Sequence, residues 1–132
     1  MKTELANGCY STNAGGILAY YNQQGQRHRE DGPADIWYYN NESIRSEWYY
    51  INGRKHREDG PAVIWYNDDG SIHNEGYYIN GLGHREDGPG YIRYNKDGSI
   101  DYEEYYLYGK AITKEQLNDQ RFVTRIHLEN IG

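Results

Sequence analysis

Along most of the chain, apolar and polar positions alternate in short runs of β-branched and aromatic residues, broken at regular intervals by Gly, Asn, Asp and Pro. One such run, Pro61-Ala62-Val63-Ile64-Trp65-Tyr66, aligns with Pro33-Ala34-Asp35-Ile36-Trp37-Tyr38 and more loosely with Pro89-Gly90-Tyr91-Ile92-Arg93-Tyr94. A second run recurs as Trp48-Tyr49-Tyr50-Ile51-Asn52-Gly53, Gly76-Tyr77-Tyr78-Ile79-Asn80-Gly81 and Glu104-Tyr105-Tyr106-Leu107-Tyr108-Gly109. Between the two kinds of run stands His-Arg-Glu-Asp-Gly-Pro, which begins at His28, His56 and His84 and so sets a period of 28 residues. Tyr21 and Gly25 fall one period before Tyr49 and Gly53, and the array extends from about Ile17 to Ala111.

Each unit therefore predicts two strands joined by a turn and closed by another, and the whole predicts a mainly β fold: an elongated antiparallel meander of repeated β-hairpins with a short C-terminal helical cap. Asp69-Gly70, Asp97-Gly98 and Asn80-Gly81 supply the positive φ angles that tight hairpins need. In the first unit Glu42 stands where the others have Gly, which predicts a different turn or a strain of up to roughly 1 kcal/mol. A single domain divides into an irregular lead-in (1–16), a degenerate half-repeat (17–27), units at 28–55, 56–83 and 84–111, and a cap at 112–132. Thr113 and Gln116 fit a capping box, so a helix is expected near Lys114. Beyond residue 120, Phe122-Val123-Thr124-Arg125-Ile126 suits a strand as well as a helix.

Strand parity sorts the repeats into two faces. Ile36, Ile64 and Ile92 share a face with Tyr38, Tyr66 and Tyr94, with Glu47, Glu75 and Glu103, and with Tyr49, Tyr77 and Tyr105; these positions hold their identity from unit to unit. The opposite face varies, carrying Asp35, Val63 and Tyr91, then Trp37, Trp65 and Arg93, then Ser46, Asn74 and Tyr102, then Trp48, Gly76 and Glu104. A solvated face is free to vary, but large aromatics on one usually cover or contact something. The candidate partner-binding residues are accordingly Trp37, Trp48, Trp65, Tyr91, Arg93, Tyr102 and Glu104.

Composition narrows the chemistry. Sixteen Tyr against one Phe and one Met predict a thin, half-solvated core of rings that keep one end wet. The formal net charge of −6 repels nucleic-acid phosphates and anionic lipids, so a protein partner is expected, with neither direct nucleic-acid binding nor membrane binding. A row of carboxylates that imitates nucleic acid in a basic groove is the alternative. Lone Cys9 and the lack of an apolar N-terminal run lead to a cytoplasmic expectation. No metal or other cofactor is expected: His28, His56 and His84 would lie about 10 Å apart on successive hairpins, too far to share an ion. The recurring His-Arg-Glu-Asp run is read as scaffold, with Asp31, Asp59 and Asp87 anchoring turns by Asx-type bonds and His and Arg tied to Glu47, Glu75 and Glu103. Three copies on a flat ladder do not make one concave site of unlike groups, so the chain is expected not to be an enzyme. Open sheet edges leave a homodimer through those edges as a further expectation.

Tyr-Tyr-Ile-Asn-Gly followed by His-Arg-Glu-Asp-Gly-Pro-Ala resembles the variant MORN repeat of bacterial, bacteriophage and large-virus proteins, over about Tyr20 to Lys110. The resemblance implies an elongated twisted sheet of successive hairpins. Ordinary MORN repeats are shorter, with a Gly-x-Gly core, and dock to membranes or proteins, which makes a membrane-docking module a further alternative; the Asp-Gly-Pro turn here departs from them, as does the acidic charge from lipid docking. Similarity to phage-borne members implies, as an expectation, an inhibitor that docks on a host defence protein in the manner of an anti-CRISPR, acting in the host cytoplasm.

Overall fold

Alternation and turn chemistry translate, in the computed structural model, which describes residues 1–131, into one antiparallel sheet of ten strands with small ribbons at one side. The first strands are β1 (Lys2–Glu4), β2 (Tyr10–Ala14), β3 (Ile17–Tyr21), β4 (Asp35–Tyr38) and β5 (Ile44–Trp48), followed by a ribbon of β6 (Tyr50–Ile51) and β7 (Arg54–Lys55). The pattern then recurs as β8 (Val63–Tyr66), β9 (Ile72–Gly76) and the ribbon β10 (Tyr78–Ile79) with β11 (Leu82–Gly83), and again as β12 (Tyr91–Tyr94), β13 (Ile100–Leu107) and β14 (Lys110–Ile112). The sheet order is β1-β2-β3-β4-β5-β8-β9-β12-β13-β14, a meander roughly 45 Å across at the usual strand spacing.

Residues 1–16 are not the irregular lead-in expected of them. Strand β2 pairs with β3 from Tyr10↔Tyr21 to Ala14↔Ile17, and β1 adds to its far side, so the sheet begins well before the array. Gly15 and Gly16, both at positive φ, form the two-residue turn between β2 and β3. That Gly-Gly signal is present in the sequence, although the segment carries no period.

Two turn types alternate along the meander. In the ribbons Asn52-Gly53, Asn80-Gly81 and Tyr108-Gly109 take positive φ at both positions, as tight two-residue hairpins require. In the hairpins β4–β5, β8–β9 and β12–β13 only the last turn residue does so: Gly70 and Gly98 donate to Asn67 and Asn95, and Glu42 donates to Tyr39 in the same way at φ +69°. Glu42 thus forms the same turn as its glycine counterparts and carries the strain. Glu42→Gly is expected to stabilise the protein by up to about 1 kcal/mol, read as a higher urea midpoint at unchanged slope.

The C-terminal segment resolves as helix. Thr113 and Gln116 form the reciprocal capping box that opens α1 (Lys114–Leu117), and Asp119 caps α2 (Gln120–Glu129) by accepting from the Arg121 and Phe122 amides. The periodicity of Phe122, Val123 and Ile126 wins over their strand propensity, because the Asp119 cap satisfies first-turn amides. Buried Ile126 faces inward, and the Tyr108 hydroxyl bonds His127.

Burial is spread thinly. Ile36, Ile64 and Ile92, with Ala34, Ala62, Val63 and Leu107, make up most of the core, and the largest fully buried side chains are only Leu107 and Ser46. Successive ribbons are tied together as well: Gly53, Gly81 and Gly109 donate to the carbonyls of Arg27, Lys55 and Gly83.

Candidate interaction face

Antiparallel register places side chains in rows that run across the strands. On the constant face, Leu18, Ile36, Glu47, Ile64, Glu75, Ile92 and Glu103 are successive cross-strand neighbours, an alternation of aliphatic and carboxylate groups. The carboxylates are occupied by the next unit: Tyr66 donates to Glu47 at 2.5 Å and Tyr94 to Glu75 at 2.6 Å, while Glu103, with no following unit, receives Tyr105 of its own strand at 3.1 Å. Burial of the phenol, reinforced by the acceptor carboxylate, raises the pKa of Tyr66 and Tyr94 well above the ordinary tyrosine range. A folded-state pKa raised in this way contributes stability that is complete below the unfolded value of about 10 and is lost as pH climbs through the folded one. Absorbance titration of tyrosinate is therefore expected to show a late-ionising class that appears together with alkaline unfolding.

The His-Arg-Glu-Asp-Gly-Pro loops are scaffold, but not by the bonds expected of them. Arg29, Arg57 and Arg85 donate through Nε to Asp31, Asp59 and Asp87 and through Nη1 to the carbonyls of Pro33, Pro61 and Pro89. Their guanidinium planes lie over the rings of Tyr20, Tyr49 and Tyr77, about 4 Å from each centroid. His28, His56 and His84 accept through Nδ1 from the backbone amides of Asn52, Asn80 and Tyr108. Neither His nor Arg reaches Glu47, Glu75 or Glu103, because tyrosines already hold those carboxylates. The Asx-type anchors sit one turn away, where Asn41, Asp69 and Asp97 accept from the amides and hydroxyls of Ser43, Ser71 and Ser99.

Two open grooves of about 760 and 750 Å³ lie between successive loops, floored by Tyr49 and Ile51 in one and by Tyr77 and Ile79 in the other. Their rims hold the Arg–Asp pairs of the loops together with the exposed carboxylates of Glu30, Glu58 and Glu86. Among the described residues no cluster of three or more His, Cys, Asp or Glu is placed to hold a metal, and no helix is long and apolar enough to cross a membrane.

The variable face carries two rows. Nearer the main turns run Ile17, Trp37, Ser46, Trp65, Asn74, Arg93 and Tyr102; nearer the ribbons run Ala19, Asp35, Trp48, Val63, Gly76, Tyr91 and Glu104. All seven candidate residues thus share one face, but the rows differ in access. Tyr50, Tyr78 and Tyr106 from the ribbons fold over the second row and meet it in three ways. Tyr50 stacks on Trp48, the Tyr78 ring comes within 3.1 Å of where a Cβ on Gly76 would be, and the Tyr106 hydroxyl bonds Glu104. Asp35, Val63 and Gly76 are buried there. Trp48 and Glu104 are therefore engaged in packing, and Tyr91 sits edge-on to Tyr102.

The first row, apart from buried Ser46, is the more accessible one. Trp37 and Tyr102 are 37% and 43% exposed. Trp65 is half-buried, edge-to-face with Trp48 at 5.9 Å, with the Arg45 guanidinium over its ring. Arg93 forms an exposed ion pair with Asp101 and lies over Tyr102. Tyr50, Tyr78 and Tyr106 share the parity of this face and their constancy there is a visible signal, whereas Arg45 lies in the opposite parity, beside the irregular register of Trp37 and Tyr38.

Compared with known proteins, the chain matches no protein-family model, no curated protein and no solved structure.

Proposed function

We propose that the chain is a non-catalytic module that binds a protein partner through the accessible row of Trp37, Trp65, Arg93 and Tyr102. The observation that carries this reading is the display of solvent-facing Trp and Tyr with an Arg on a rigid sheet face, the residue types that dominate binding energy at protein interfaces. The non-catalytic part is supported by the loops, where each repeated His spends Nδ1 on a backbone amide and each Arg is held by an Asp and a carbonyl. A cytoplasmic setting fits the free thiol of Cys9. The resemblance to phage-borne variant MORN repeats adds a host defence protein as the proposed partner.

Trp37→Ala is expected to weaken the partner at least tenfold, about 1.4 kcal/mol, while leaving the melting transition in place. Affinity capture from the source cells with wild type and variant, followed by titration of the captured protein, checks this. An acidic decoy is a second reading, favoured by exposed Glu30, Glu58 and Glu86 along the loops. It predicts affinity that collapses as salt rises and is indifferent to Trp37, whereas an aromatic contact changes little with salt.

A further inference from the structure

The main sheet ends on an unfilled strand position. In the first unit β5 is flanked by β4 and, on its other side, by β8, with Ser46↔Trp65, Glu47↔Ile64 and Trp48↔Val63 opposed. In the second unit β9 is flanked in the same way by β8 and β12. The equivalent stretch of β13, residues 100–104, has β12 on one side only: β14 pairs with Tyr105, Tyr106 and Leu107, the counterpart of the ribbons, and reaches no further. At Tyr49 and Tyr77 the backbone amide passes on to Ala62 and Gly90 of the following strand, but Tyr105 is paired with Ile112 of its own ribbon. Among the described residues no strand lies beside this stretch; helix α2 bonds Tyr108, past it, and Glu115 of α1 lies near Tyr105 at its margin.

Burial reflects the missing neighbour. Ser46 in β5 and Glu75 and Gly76 in β9 are buried, whereas none of residues 100–104 is, and Ile100 and Tyr102 are exposed. Bonded pairs alternate along an antiparallel ladder, so the bond from Tyr49 to Ala62 puts the next one on Glu47 and Ile64. By the same alternation Glu103 turns its own N–H and C=O towards the empty position. Its carboxylate also lacks the phenol that Glu47 and Glu75 receive from the incoming strand.

We propose that residues 100–104 of β13 form a docking edge that takes one antiparallel strand from a partner protein, with a β-branched apolar residue opposite Glu103 and a hydrogen-bond donor, Tyr, Lys or Arg, two residues later to reach its carboxylate. The chain's own Ile64-Trp65-Tyr66 and Ile92-Arg93-Tyr94 show that pattern seated on the two equivalent edges. A second copy is a poorer occupant. Antiparallel pairing of two such edges brings Asp101, Glu103 and Glu104 against the same carboxylates, the arrangement by which exposed edges resist self-pairing. Edge addition gains affinity from main-chain bonds and specificity from alternate side chains, so this surface differs in chemistry from the aromatic row, with which it shares Tyr102.

The probe is a synthetic peptide of the chain's residues 60–67, Gly-Pro-Ala-Val-Ile-Trp-Tyr-Asn, titrated into the full chain and followed by fluorescence anisotropy and amide-resolved NMR. Binding is expected to shift and protect the Glu103 amide, to weaken at least tenfold when the amide of the peptide's Ile is N-methylated, and to be unchanged in Trp37→Ala. Equal binding of the two peptides, saturation that leaves the Glu103 amide unaltered, or no binding at millimolar peptide overturns the proposal. So does sedimentation showing that the free chain already dimerises through this stretch, because the occupant is then a second copy. Loss of aromatic-row binding alone leaves these readouts where they were.

Discussion

Replacing Ile64 with Ala is expected to lower the unfolding free energy by about 3 kcal/mol, the range for deleting a buried aliphatic side chain from a packed site. Ile64 is 8% exposed and stands between Glu47 and Glu75 in the middle of the row. Tyr66, two residues along the same face, is held by its bond to the opposed Glu47, which leaves it little freedom to collapse into the space. The central location makes the loss felt by both flanking units. Urea denaturation followed by tryptophan fluorescence measures it, with Ile100→Ala as the control, because Ile100 is largely exposed and its removal should change stability by less than about 0.5 kcal/mol. Equal midpoints for the two variants would mean that the aliphatic row is not the core.

Glu75→Ala is expected to cost about 2 kcal/mol, since it strands the half-buried Tyr94 hydroxyl that donates to the carboxylate. The more telling result is the double variant. Leu in place of Glu75 together with Tyr94→Phe removes donor and acceptor at once, and should recover most of the loss, because the penalty lies in leaving one polar partner buried and alone. A thermodynamic cycle of the wild type, Glu75→Leu, Tyr94→Phe and the double variant isolates the coupling. Strict additivity would show that the tyrosine and carboxylate do not act as a pair. The same cycle on Tyr66 and Glu47 should give a coupling of the same sign, since the geometry is shared.

The meander and the assignment of residues to faces are legible in the sequence because both rest on period-two alternation, which the backbone enforces locally. Ile36, Glu47 and Ile64 fall opposite one another as their parity requires. What sequence could not supply is the partner of each polar group. Parity puts Glu47 and Glu75 on the constant face, but only the twist and spacing of neighbouring strands decide that a tyrosine of the following unit reaches them before His or Arg does. Access on the variable face fails for a similar reason: Trp37 and Trp48 share a parity, yet the ribbon that carries Tyr50 folds over one and leaves the other in solvent. Strands β1 and β2 escaped notice because they lie outside the repeat, where Tyr10-Ser11-Thr12-Asn13 offers little apolar contrast.

The histidine joints have a bearing on how such a molecule is made and resized. Each closes over a separation of 24 residues, from the first residue of a unit to that unit's own ribbon turn, while the ribbon glycines bond back to the segment before. Each step can lock as soon as its own ribbon leaves the ribosome, without waiting for the far end of the chain. Excising or duplicating one 28-residue step brings together surfaces that already fit, so the molecule's reach along a target is adjustable in fixed increments with no new joint to invent.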